Sequence, residues 1–451
     1  MVVIDVNNLE QDFFEITTKN IKSNSELIKN CLKGSEMIDN KLHVITVISN
    51  ICNFKRRWQL MIEFIDRIKE FPNVELYVVE MIYEDQFFRI TEPNNPKHLQ
   101  LKTEHALWHK ENMINLGIQK LLPSDWKSVA WIDGDIEFEN LNWVDETLKV
   151  LTKFDLVQLF TTCFDLDEYN IPMNIWQGYG YKYCNGETFK HNKGVNYWHS
   201  GYAWACTRTF YDKIGKIYDK GIVGSGDYIL TQAIIGNVAC ADKSLSDFKK
   251  EIIEYKERLN NYDLKIGYIT SNIKHYFHGS KVNRKYIERN QILIKYKYSP
   301  ILHLEYDHNG VIVPTRNMSS EFIRDIKDYF FQRNEDEYYE LIYKNINSQV
   351  YYFNINNLNN CSFSSIIYIE HCKEFYDRLS ISLHNNIITL NLPNGDIKGY
   401  LNQKNYDDLL INSIISIRII EKTGIYNGKI VIFNLELQKE LNLVKITVIY
   451  K

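Results

Sequence analysis

The first regular pattern of apolar residues begins at Leu42. The run "LHVITVIS" is almost unbroken and is bounded by polar residues, as expected of a strand buried on both faces. In the following "FKRRWQLMIEFIDRIKEF", Trp58, Met61, Ile62, Ile65 and Ile68 recur at spacings of three and four, which predicts an amphipathic helix. "VELYVVEMI" predicts a second strand and "ALWHKENMINLGIQKLL" a second helix; after the break "PSDW", "SVAWI" predicts another strand. This alternation predicts an α/β domain in which helices flank a Rossmann-like mixed sheet.

The pattern changes toward the C-terminus. All eight tryptophans lie at or before Trp204, and glycine becomes sparse after Gly310. A helical stretch, "SSEFIRDIKDYFFQRNEDEYYELIYKNI", gives way to short apolar runs: "QVYYFNI", "SIIYIEH", "LSISL", "NIITLNL", "SIISIRII", "KIVIFNLEL" and "LVKITVIY". Asn394-Gly395 and Asn427-Gly428 are hairpin-turn signals between them. The expected organisation is a polar helical leader over 1–40, the α/β domain over 41–310, a helical connector over 311–345 and an all-β sandwich or barrel over 346–451.

Composition narrows the functional classes. A net charge of -4 gives no global attraction to nucleic acid or anionic membranes. The eight cysteines are scattered, without a C-x-x-C pair or zinc-finger spacing, and read as free thiols of a reducing compartment. The opening residues lack a basic stretch followed by an apolar core, and no run of about 18 uncharged apolar residues occurs. A cytoplasmic protein without a membrane span is expected, which makes the N-x-S sequons at Asn317 and Asn360 chance matches.

Chemistry concentrates in "SVAWIDGDIEFEN". Its apolar strand runs directly into Asp133 and Asp135, separated by one glycine. Carboxylates at the carboxyl end of a buried strand lie where open α/β sheets bind ligands, and two of them side by side call for a cation. The bland reading is an acidic turn, which a lone D-x-D does not exclude.

Context sharpens this. "NLGIQKLLPSDWKSVAWIDGD" resembles the corresponding segment of GT-A glycosyltransferases, in particular their large inverting family: Asn115, Leu116, Gly117 and Ile118 match the helix, and Asp133 and Asp135 the metal motif. The resemblance covers about residues 42 to 305. It implies a nucleotide contact at the end of the first strand, at Ser49, and another at Glu80 on the second. It extends nucleotide or diphosphate contacts to Lys110, Asn115, Asp133 and Lys281, with Arg284 nearby. It also implies a Mn²⁺ or Mg²⁺ ion held by Asp133 and Asp135 with a late histidine, His278 first and His275 second, since on a continuous strand these two side chains would point to opposite faces. Asp227, after Gly224-Ser225-Gly226, matches the acceptor-side acid and is the expected general base, with helix capping as its structural alternative. The sequence departs from the family at Ile114, where the family has arginine, and at Ile136, where it has a third aspartate; Lys110, one turn upstream, is the available replacement charge.

The resemblance therefore implies transfer of a sugar, with inversion, from a nucleotide-diphosphate sugar, UDP being the expected nucleotide, to a glycan or glycoprotein hydroxyl. Trp176, Tyr179, Tyr197, Trp198, Tyr202 and Trp204 are candidates for stacking on sugar or for core packing. The competing readings are a carbohydrate-binding protein with a degenerate site and a D-x-D phosphatase. The richness in Ile, Asn, Lys and Tyr resembles proteins of AT-rich genomes, including giant DNA viruses and low-GC bacteria.

Overall fold

The computed structural model describes residues 24–170, 172–187, 198–240, 242–261, 263–286 and 288–339, together with the backbone of eight strands between 348 and 450. Two compact units account for them, one of residues 1–164 and 176–335 and one of residues 165–175 and 336–451.

The first unit is the expected α/β domain, a mixed sheet flanked by helices. Its seven strands lie in the order Ile266–Tyr268, Leu156–Gln158, Ala203–Thr207, Ser128–Ile132, Leu42–Ser49, Val74–Tyr83 and His98–Thr103. Neighbours run parallel except at Ala203–Thr207, which is antiparallel to both strands beside it. Both faces are covered, which explains the unbroken apolar runs. Ile45, Val129 and Trp131 pack with Met113, Ile114 and Leu116 of the Lys110–Leu121 helix, whereas Val44, Ile48, Ala130 and Ile132 pack with Trp58, Met61 and Phe64 of the Lys55–Ile68 helix. Successive strand residues thus feed opposite layers. In the Lys55–Ile68 helix the buried stripe includes Trp58, Met61, Phe64 and Ile68, and Ile62, expected on that stripe, is half exposed.

Two substitutions in the family-like helix follow from this packing. Ile114 faces the core, so the charge of the family's arginine has no place at that position. At Gly117 a Cβ would come within 2.9 Å of Val79 Cγ2 and 3.1 Å of Ile45 Cγ2, so glycine is what lets the helix lie against the sheet. The Ser320–Gln332 helix, expected in a connector, contributes Phe322, Ile326, Tyr329 and Phe330 to the first unit's core. Among the described residues, no helix is long and apolar enough to cross a membrane.

In the second unit the strands form one antiparallel sheet in the order Ser348–Asn354, Leu443–Tyr450, Val431–Gln438, Ile415–Lys422, Gly395–Tyr400, Ile387–Leu392, Ser380–His384 and Ser362–Ser364. Leu392 pairs with Gly395, consistent with the expected hairpin there. The segment "SIIYIEH" and the turn at Asn427-Gly428 lie outside the described residues, as does the leader before residue 24.

His109 precedes the Lys110–Leu121 helix and is 2% exposed, its Nε2 lying 2.8 Å from the Ile312 carbonyl. Burial lowers its pKa to about 4. Because that lies below the unfolded value of about 6.5, the unfolded chain binds the extra proton between these limits. The contribution to stability is therefore complete above about pH 6.5 and falls by about 3 kcal/mol as the pH drops toward 4. Urea denaturation as a function of pH should show this slope in the native protein and a flatter one in His109→Gln; identical slopes would contradict it.

Candidate metal centre

The two aspartates follow the Ser128–Ile132 strand directly. The Asp133 amide donates to the Tyr202 carbonyl at 2.9 Å, continuing the pairing with the antiparallel neighbour, and Thr46 Oγ1 donates to the Ile132 carbonyl at 3.0 Å. A Cβ at Gly134 would sit 2.5 Å from Met61 Cε, so a side chain there would press into the helix below. The chain then forms the short Ile136–Phe138 strand, which pairs antiparallel with Asn272–His275 and sets Ile136 opposite His275. One step further, the Tyr276 amide donates to the Asp135 carbonyl at 2.9 Å. This small ladder brings the late histidines to the second aspartate.

His278 Nε2 lies 3.2 Å from Asp135 Oδ2, and His275 Nε2 lies 3.8 Å from the same oxygen. Ligand atoms of Asp135, His275 and His278 all fall within 4.8 Å of one another. The expectation that His275 and His278 point to opposite faces is corrected: the strand ends at His275, so the alternation does not extend to residue 278. Tyr202 supports the cluster, stacking on His199 with ring centroids 4.0 Å apart and lying 4.6 Å from the His275 ring. It does so from a left-handed backbone, φ 78°, rare for a bulky residue and a mark of local strain.

The His278 tautomer follows from its hydrogen bond. Nδ1 lies 2.8 Å from the Tyr276 carbonyl, which can only accept, so Nδ1 carries the proton and Nε2 presents a lone pair. Burial, reinforced by the Arg284 charge, pushes the pKa of His278 down to about 3, which keeps the ring neutral at ordinary pH. Nε2 and the Asp135 carboxylate therefore confront each other lone pair to lone pair. Asp135 Oδ1 is buried without a hydrogen-bond partner. A bare imidazole nitrogen, a second imidazole and an unsatisfied carboxylate oxygen are donors of the kind that could hold a divalent cation.

Beside it stands a second charged group. Lys110 Nζ lies 2.5 Å from Asp133 Oδ1. Burial opposes the lysine's charge, but Asp133, Asp227 and Glu111 outweigh it and raise its pKa above the ordinary value. Burial also raises the Asp133 carboxyl, with Lys110 opposing and Asp135 adding to the rise. Asp227 is the second residue of the Gly226–Ile234 helix; the N-cap is Ser225, so the capping alternative for Asp227 is corrected. Its Oδ1 accepts from the Tyr228 amide at 2.8 Å, and Oδ2 lies over Gly201, where a Cβ would be only 2.5 Å away.

Glu111 escaped the sequence reading. It is 5% exposed, accepts from Trp108 Nε1 at 3.0 Å, and fills the space a Gly226 side chain would need. Burial, against the pull of Lys110, raises its pKa to about 7. The only trace in the sequence is an acid next to a lysine at a helix start, an arrangement too common to single out.

Other expected contacts have structural partners. Glu80 is fully buried, and its carboxylate accepts from the amides of Arg89, Ile90 and Thr91 at 2.8, 3.0 and 2.8 Å; the nucleotide contact expected there is corrected to a loop anchor. Asn115 is likewise corrected: its amide donates to the Ile217 carbonyl at 2.8 Å and accepts from the Ile217 amide at 3.0 Å. Ser49 ends its strand, with its carbonyl accepting from Arg57 at 3.1 Å, and Lys281 lies 5.1 Å above the Trp176 ring. Tyr179, Trp198 and Trp204 are core residues, and Tyr197 lies outside the described residues. At the carboxyl ends of the Leu42–Ser49 and Val74–Tyr83 strands opens a cleft of about 490 Å³, whose lining includes Ile51, Tyr83, Arg89 and the exposed Phe87 and Phe331.

No protein-family model and no curated protein matches this chain. Among solved structures, a Drosophila β1,4-galactosyltransferase 7 in complex with manganese, UDP-Gal and xylobiose is similar at 10% identity and a TM-score of 0.30, over 61% of this chain and 93% of that one. A mannosyltransferase from Pyrobaculum calidifontis in complex with GDP-Man and Mn²⁺ is 12% identical, with a TM-score of 0.29, over 60% of this chain and 67% of that one. A 4-diphosphocytidyl-2C-methyl-D-erythritol synthase from Anaerococcus prevotii is 10% identical, with a TM-score of 0.25, over 65% of this chain and 98% of that one. Scores this low carry no activity from one protein to another.

The geometry separates ligand from scaffold. Asp135→Asn should abolish Mn²⁺ binding in calorimetry while leaving the melting temperature within a few degrees of the native value. Asn115→Leu should do the reverse, retaining Mn²⁺ binding and losing roughly 1–3 kcal/mol for each buried group of Ile217 left unpaired. Unchanged Mn²⁺ affinity in the Asp135 variant would remove that residue from the centre.

Proposed function

We propose that this chain is a metal-dependent glycosyltransferase, moving a sugar from a nucleoside-diphosphate sugar, with UDP the expected nucleotide, to a hydroxyl of a glycan or glycoprotein. One observation carries the reading: the bare His278 Nε2 facing Asp135 at 3.2 Å, at the carboxyl end of a buried strand. Asp135, His275 and His278 would hold the cation. Two imidazoles favour Mn²⁺ over Mg²⁺, which prefers oxygen ligands. When bound, such a cation supplies Lewis-acid stabilisation of the charge that develops on the departing diphosphate.

The chain's own residues supply the rest. Lys110 fixes the orientation of Asp133 and contributes a positive charge close to the cation site. The cleft beyond Ser49 suits a nucleoside in size, and its exposed phenylalanines offer faces for a base to stack on. Asp227 keeps Oδ1 on the Tyr228 amide and has Oδ2 to take the proton from the acceptor hydroxyl. Glu111 fills the space behind Gly226 and so holds the start of the helix that presents Asp227. With Asp227 as base, direct attack by the acceptor gives inversion at the anomeric carbon.

A screen of nucleotide sugars should find one whose diphosphate is released only when Mn²⁺ is present. Asp227→Asn should bind Mn²⁺ normally but transfer roughly 10²-fold or more slowly, the scale of a lost general base. Transfer at the native rate would remove Asp227 from the mechanism. Phosphomonoester hydrolysis without consumption of any nucleotide sugar would favour the phosphatase reading instead.

A further inference from the structure

Glu335 is the last residue of the first unit and is fully buried. Three arginines surround its carboxylate. Arg57 approaches through both Nε, 2.7 Å from Oε2, and Nη2, bonded to Oε1. Arg333 donates Nε to Oε1 at 3.1 Å with Nη2 at 3.0 Å, and Arg284 Nη1 lies 3.9 Å from the same oxygen. The side chains of Arg57, Arg284 and Arg333 are 27%, 11% and 5% exposed, so this excess of positive charge is largely withdrawn from water.

One of these arginines, Arg284, also holds the turn that carries His278. Arg284 Nη2 donates to the His278 carbonyl at 3.0 Å, and the neighbouring Arg56 donates to the Phe277 carbonyl at 2.9 Å. Gly279 has φ +93°, and a Cβ on it would come within 2.8 Å of the Asn334 carbonyl and 2.9 Å of the Arg333 carbonyl. The backbone just before Glu335 therefore lies directly on the residue after His278. Nothing in the diphosphate chemistry requires a carboxylate here; a buried acid among cations would compete with a phosphate.

We propose that Glu335 is a positioning residue for the metal centre: by pairing Arg57, Arg284 and Arg333, it fixes the turn that presents His278 Nε2 to Asp135. The proposal rests on the reading of Asp135, His275 and His278 as a divalent-cation site. Without the carboxylate, three buried guanidiniums repel one another, and Arg284 gains by moving toward water and releasing the His278 carbonyl. Outer partners that orient metal ligands are commonly worth 10–100-fold in metal affinity.

The test is Mn²⁺ titration of the full chain, followed by loss of the free-ion EPR signal at a temperature where circular dichroism shows each variant folded. Glu335→Gln should weaken binding roughly 10–100-fold. Arg284→Met, which leaves Glu335 paired with two arginines, should weaken binding in the same direction and serves if the first variant does not fold. Glu251→Gln, which breaks the remote Lys220 pair at 2.6 and 2.8 Å, should lower the melting temperature without changing Mn²⁺ affinity. Native affinity in folded Glu335→Gln or Arg284→Met, or an equal loss in Glu251→Gln, would overturn the positioning role while leaving the metal site standing. A native protein that binds no divalent cation would overturn both, and is distinguishable because it appears before any variant is made.

Discussion

Two lone pairs facing each other across 3.2 Å in a buried site repel unless a cation lies between them, and that constraint organises this domain. The proton is not that cation at neutral pH, since burial and Arg284 hold His278 neutral. Asp135 contributes a second oxygen that no protein donor satisfies. Leaving such groups unpaired costs free energy comparable to several ordinary hydrogen bonds, so the arrangement has a reason only if a ligand completes it.

The sheet supplies the geometry. A fully buried strand delivers Asp133 and Asp135 to its carboxyl end, and a short antiparallel ladder delivers His275 and His278 to the same point from residues far along the chain. Close packing sets the remaining tolerances: Gly117 lets one helix lie on the sheet, Gly134 clears Met61, and Gly201 clears Asp227. Lys110 reaches Asp133 from one helical turn before the core-facing Ile114, so the positive charge sits at the start of the same helix side that farther along packs into the core.

Much of this was legible in the sequence because it rests on strong, local patterns. The apolar run before Asp133 shows the strand, and the strand-helix alternation shows the layers. Glu80 and Asn115 misled because a buried acid on a strand and a buried amide on a helix look alike whether they bind a nucleotide or a backbone; only the partners, the 89–91 loop and Ile217, distinguish them. The alternation rule failed at His275 because it holds only as far as the strand does. Glu111 and the Glu335 cluster were invisible, since their meaning depends on contacts across long separations that no local spacing encodes.

The central claim is that His275 and His278 ligate a divalent cation together with Asp135. Pulsed EPR of the Mn²⁺-loaded protein addresses it directly, because electron-spin-echo modulation from ¹⁴N reveals imidazole nitrogens bound to the ion. The account predicts modulation from two imidazoles in the native protein and from one in His278→Gln. A spectrum showing only oxygen ligands, or one unchanged by removing His278, would contradict it.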